Sequence, residues 1–113
     1  MIRKSILTVL FAFAISQANA GSGSGLVSQI TAHENTSGGV GMFRTAQNLN
    51  KASCSTAHGG TEWAFSLESK HGEAIYALVL SANAQGKNVK VVGAGDCNVW
   101  GDRERPRYVI IDD

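Results

Sequence analysis

Apolar positions change period along this chain, and the changes mark its elements. In "TEWAFSLES", Trp63, Phe65 and Leu67 alternate with Glu62, Ala64, Ser66 and Glu68. A two-residue period belongs to a strand with one covered face, so the first three are expected in the core and the other four outside it. The period then lengthens. In "GEAIYALVLSANAQG", Ile75, Leu78, Val79 and Ala82 recur at helical spacing, and Tyr76 and Leu80 widen the apolar arc. Glu73 in the first turn suits the helix dipole. Gly86, followed by Lys87, is placed to end the helix in a left-handed cap.

Beyond the helix the period returns to two. "KNVKVVGAG" puts Val89, Val91 and Gly93 on one side. In "RPRYVIIDD", Tyr108 and Ile110 face one way and Val109 and Ile111 the other, which predicts a central or covered strand. Pro106, the sole proline, stands at its start, where a missing N–H is tolerated. Upstream, "LVSQITAHE" from Leu26 alternates in part, "NTSGG" is a turn cluster, and "VGMFRTA" reads as a strand pairing back in a hairpin. "QNLNKASCSTAHGG" reads as a long polar loop and "GSGSG", residues 21–25, as a flexible tether.

The predicted order is β-β-β-α-β-β. This is an α+β chain with the strand and helix order of a small OB-like barrel, the helix plugging one open end over Trp63, Phe65 and Leu67. An open α+β sandwich with the helix on one face is the alternative.

Residues 1–20, "MIRKSILTVLFAFAISQANA", have the three parts of a secretory signal peptide. Arg3 and Lys4 supply the positive start, and Ile6 to Ile15 form an apolar run of ten residues. Ala18-Asn19-Ala20 carries small residues where a signal peptidase inspects them. A spanning helix needs roughly 20 apolar residues, so the run is too short for an anchor. The expected organisation is a signal peptide at 1–20, a tether at 21–25 and one OB-like domain at 26–113. Cleavage after Ala20 leaves eight basic and nine acidic residues, a net charge of −1. That balance argues against nucleic-acid binding and against electrostatic membrane binding.

Cysteine count adds to the picture of export. Cys54 and Cys97 are the only two, and an exported chain with an even count is expected to pair them. No second cysteine stands at zinc-knuckle spacing. The bridge ties the turn "GAGDCNVWG" back to the 47–60 loop, with Gly93 and Gly95 expected to let the backbone turn sharply there.

Chemistry-bearing motifs are few. "GAGDCNVWG" lacks the third glycine and the helix of a phosphate loop. His33, His58 and His71 stand at no metal-ligand spacing, although "HGGTE" sets His58 four residues before Glu62. No cofactor or metal is implied. "DRERPR", residues 102–107, reads first as a solvated loop, with Arg103, Arg105 and Arg107 able to meet an anionic ligand. Trp100 has two readings: packed over the barrel end against the disulfide, or exposed as an aromatic platform rimmed by polar groups.

The segment "YALVLSANAQGKNVKVVGAGDCNVWGD", continuing to "RYVIID", resembles uncharacterised small exported bacterial domains in which an Ala-rich helix ends in Gly-Lys. A Val-rich strand follows there, then a turn with the second cysteine, then a final strand. More distantly it resembles the OB-type B subunits of AB toxins, of the subtilase-cytotoxin type. The resemblance spans about residues 62–112. It implies an OB-type barrel, a glycan ligand and a homo-oligomer, and it carries no toxin sugar-binding residue onto a position of this chain.

The resulting expectation is a non-catalytic binding module, periplasmic or secreted, with a glycan or protein partner. Its candidate site is Asp96, Asn98, Trp100, Arg103 and Arg105, held by Cys54–Cys97. The alternatives are a small secreted nuclease-like hydrolase using histidines, and an envelope inhibitor that blocks a partner enzyme.

Overall fold

In the computed structural model, which describes residues 19–112, the glycine-serine run is a strand and not a tether. Residues 1–18, where most of the expected signal peptide falls, lie outside the described residues, as does Asp113. Strand β1 (Ser22–Leu26) pairs antiparallel with β4 (Gln47–Leu49) on one side and with β6 (Asn88–Gly93) on the other. The reason lies across the core. A Cβ on Gly23 would stand 2.6 Å from Cζ2 of Trp63, which is 0% exposed. Glycine is what lets the strand lie against the indole. Trp63 Nε1 donates to Thr45 Oγ1 at 3.0 Å, so the buried indole is satisfied.

The remaining elements are β2 (Ser28–His33), β3 (Val40–Arg44), a 3-10 turn (Ala57–Gly60), β5 (Glu62–Ser66), α1 (Lys70–Gln85) and β7 (Pro106–Asp112). They form two antiparallel sheets, ordered β4-β1-β6-β7 and β2-β3-β5. The chain passes from one sheet to the other through buried Val27, between β1 and β2. An irregularity between Ser28 and Thr31, with Gln29 at φ 47, breaks the alternation of β2 and explains its uneven sequence pattern. On the far side the sheets meet at one parallel bridge, Trp63 with Glu104. The sheets therefore do not close into a continuous barrel.

Helix α1 lies over the inner faces. Ile75, Val79 and Ala82 share one core with Phe43, Trp63, Phe65, Val89, Val91 and Val109. Ser69 caps its start by accepting from the Gly72 N–H, and Gly86 at φ 63 closes its end as expected. Leu80 departs from expectation. It sits well round the helix from Ile75 and is exposed.

Two strands differ from their patterns. β5 is covered on both faces, because Glu62 and Ala64 are buried together with Trp63 and Phe65. The cover on the outer face is the loop after β6: Val99 and Trp100 pack on Val40, Met42 and Ala64. β7, apolar on both sides, is instead an edge strand, with Tyr108 44% and Ile110 48% exposed.

Candidate functional site

Loop 94–105 is fixed by bonds within itself and to distant parts of the chain. Cys54 and Cys97 form the disulfide, with Cα atoms 6.1 Å apart and a sequence separation of 43. Gly95 adopts φ 81, a conformation that favours glycine. Gly93 does something else than turn the chain. It lies within β6, and a Cβ there would collide with the Glu104 carboxylate.

Asp96 anchors the loop. Its carboxylate accepts from Arg105 Nε at 3.1 Å and Nη2 at 2.8 Å, and also from the Asn98 N–H at 3.2 Å. The main chains repeat the pairing: Arg105 N–H donates to Asp96 O and Ala94 N–H to Arg105 O, both at 2.8 Å. The Arg105 guanidinium holds the Asp96 pKa below the usual aspartate range, ahead of the opposing effect of burial. Arg103 N–H donates to Trp100 O at 3.0 Å, closing a turn over Gly101 and Asp102.

Trp100 lies half-buried on the outer face of β3 and β5. Its ring meets that of His33 edge-on, with centroids 4.8 Å apart and planes at 62°. His33 and Asn98 are exposed. The structure thus gathers the five predicted residues in one loop but commits Asp96 and Arg105 to each other and Arg103 to Glu62.

The "DRERPR" run is not a solvated loop. Arg103 Nε stands 3.1 Å from Glu62 Oε1, and His58 Nε2 3.0 Å from Glu62 Oε2. Burial depresses the Arg103 pKa, but the Glu62 and Asp102 carboxylates outweigh it, and the net direction is upward. Arg44 Nε lies 3.9 Å from Glu62 Oε2. The two arginine contacts are ion pairs more than hydrogen bonds, since Arg44 Nε, Arg103 Nε and Glu62 Oε2 are buried without a hydrogen-bond partner among the described residues. His58 reaches Glu62 because the turn at Ala57–Gly60 runs through positive φ at His58, Gly59 and Gly60. The four-residue spacing of "HGGTE" was a signal for this pair, but its two glycines left the geometry open. His71 is elsewhere, with Nε2 2.7 Å from Arg107 O.

Glu104 is the residue sequence reasoning missed. It is 0% exposed, and its carboxylate accepts from the N–H groups of Gly21 at 2.8 Å, Ala52 at 3.0 Å and Gly95 at 3.2 Å.

An open groove of about 300 Å³ lies away from this loop, lined by Ser24, Gly25, Gln47, Asn88 and Asp112 among others. Among the described residues no group of three or more His, Cys, Asp and Glu side chains is arranged to hold a metal ion. No helix there is long and apolar enough to cross a membrane. No protein-family model matches the chain, and neither curated proteins nor solved structures give a match.

Proposed function

We propose that this chain is an exported, non-catalytic binding module whose recognition surface is the Asp96–Arg105 loop, with a glycan as ligand. One observation carries the reading: the loop is pre-ordered, and it offers the part-exposed Trp100 ring against exposed His33, with exposed Asn98 in the same loop. Asp96–Arg105 and Cys54–Cys97 fix the backbone before any ligand arrives, which lowers the entropy lost on binding. A part-exposed aromatic ring beside an imidazole, in a loop that also carries an exposed amide, suits a sugar ring, whose C–H face stacks and whose hydroxyls need polar partners.

The architecture we assign is OB-like. Its support is the pairing order: one strand path shared by both sheets through Val27, β3 beside β5, β6 beside β7, and the parallel Trp63–Glu104 bridge on the far side. A homo-oligomer is the assembly we favour, because edge strand β7 leaves Tyr108 and Ile110 exposed.

A glycan array with the oxidised protein tests the ligand. Binding should appear and fall at least tenfold in both Trp100→Ala and Asn98→Ala. Asn98 has an exposed side chain, so its loss reports binding more than folding. Array silence, or binding unchanged in both variants, would count against the reading.

The His58–Glu62 pair at 3.0 Å supports a second reading, a small hydrolase with His58 as general base. Nuclease and glycosidase assays comparing wild type with His58→Ala discriminate it.

A further inference from the structure

We propose that cleavage between Ala20 and Gly21 places a new α-ammonium group on the buried Glu104 carboxylate, and that this ion pair completes the fold. The proposal takes up the signal-peptide reading of residues 1–20 and adds what processing does to the folded chain.

Burial changes at this bond. Asn19 and Ala20 are exposed, whereas Gly21 is buried. Gly21 N–H donates to Glu104 Oε2 at 2.8 Å, and Gly21 O accepts from Gly93 N–H at 2.8 Å. A side chain at residue 21 would collide with both Glu104 and Asn48, so glycine is the residue that brings this nitrogen to the carboxylate. Glu104 accepts only from main-chain N–H groups, and no Lys, Arg or His forms an ion pair with it among the described residues. A buried carboxylate without a cation is costly.

A second acceptor waits at the same place. Asn48 Nδ2 donates to Gly60 O at 2.7 Å, but its Oδ1 is buried with no hydrogen-bond partner among the described residues and lies beside Gly21. An amide at Gly21 has one proton, already given to Glu104. An ammonium has three, enough to keep that bond and supply Asn48 Oδ1.

Hydrolysis of the bond gives this group. Water adds hydroxide to the Ala20 carbonyl carbon, the C–N bond breaks, and the nitrogen leaves as an amine. That amine takes a proton to become an ammonium, and Ala20 departs as a carboxylate. The agent is a signal peptidase acting during export, so the chain folds after the cut. In an unprocessed chain Glu104 meets a neutral Gly21 amide in place of an ammonium, and its folded state is the less stable one.

Three oxidised chains test this: one beginning at Gly21 with a free amine, the same chain N-acetylated, and one extended by Asn19-Ala20. The free-amine chain should unfold at least about 4–8 °C above the other two. Glu104→Gln should lower its midpoint to theirs and shift the extended chain much less. Acetylation restores the neutral amide without touching Glu104, so the comparison stays readable even where Glu104→Gln fails to fold. Equal midpoints for the three chains, or an exported protein that begins at another residue, would overturn the proposal.

Discussion

At the scale of single residues, two glycines and two carboxylates decide most. Gly23 gives Trp63 its place, and adding one methyl forces overlap with the indole. Gly23→Ala should therefore cost about 1–3 kcal/mol by urea denaturation, the range for overpacking a core. A cost near zero would mean that β1 does not lie against Trp63. Asp96 makes a pH prediction. Its pKa falls on folding, chiefly through the Arg105 bonds. Such a group contributes stability above the ordinary aspartate range, and that contribution is lost as pH falls through its lowered folded value. The Asp96 and Arg105 side chains are 27% and 40% exposed, so solvent screens the pair and its worth is about 1 kcal/mol at most. Asp96→Asn should lose that amount at neutral pH and differ less from wild type in strong acid. Denaturation at the two pH values checks it. Neither Gly23 nor Glu104 was legible as structural in the sequence. "GSGSG" has a linker's local composition, and "DRERPR" has a solvated loop's. What buries them is distant: Glu104 meets Gly21 across 83 residues and Ala52 across 52.

Elements were far more legible, because period is a local property. The alternation at Trp63, Phe65 and Leu67 and the helical recurrence of Ile75, Val79 and Ala82 place a strand and a helix where they are found. Gly86 ends the helix as read. Glu73 stands in the first turn as expected, but the cap itself is not legible, because Ser69 precedes two residues, Lys70 and His71, that carry no periodic signal. Ser69→Ala should cost about 1 kcal/mol, the usual loss of an N-cap, measured as a shift of the thermal midpoint. Burial of an element's second face was less visible. β5 looks half-exposed, yet a loop more than thirty residues further on covers Glu62 and Ala64. β7 looks covered, yet it is an edge strand. A two-sided apolar strand reads as covered on both faces, whereas Tyr108 and Ile110 of β7 are exposed.

At the scale of the whole molecule, one covalent event is the disulfide and a second is the chain cut we propose. The bridge between Cys54 and Cys97 closes a span of 43 residues, worth about 4 kcal/mol by loop entropy. On our proposal, the cut before Gly21 sets an ammonium against the Glu104 carboxylate. A disulfide fits a chain that leaves a reducing compartment, and the Cys54–Cys97 bridge holds the Trp100 loop. Intact mass of the protein recovered after export, alkylated without reduction, tests this claim most directly. The account predicts a chain starting at Gly21 with no alkylated thiol. A chain that keeps residues 1–20, or one that carries two alkylated cysteines while folded, would contradict it.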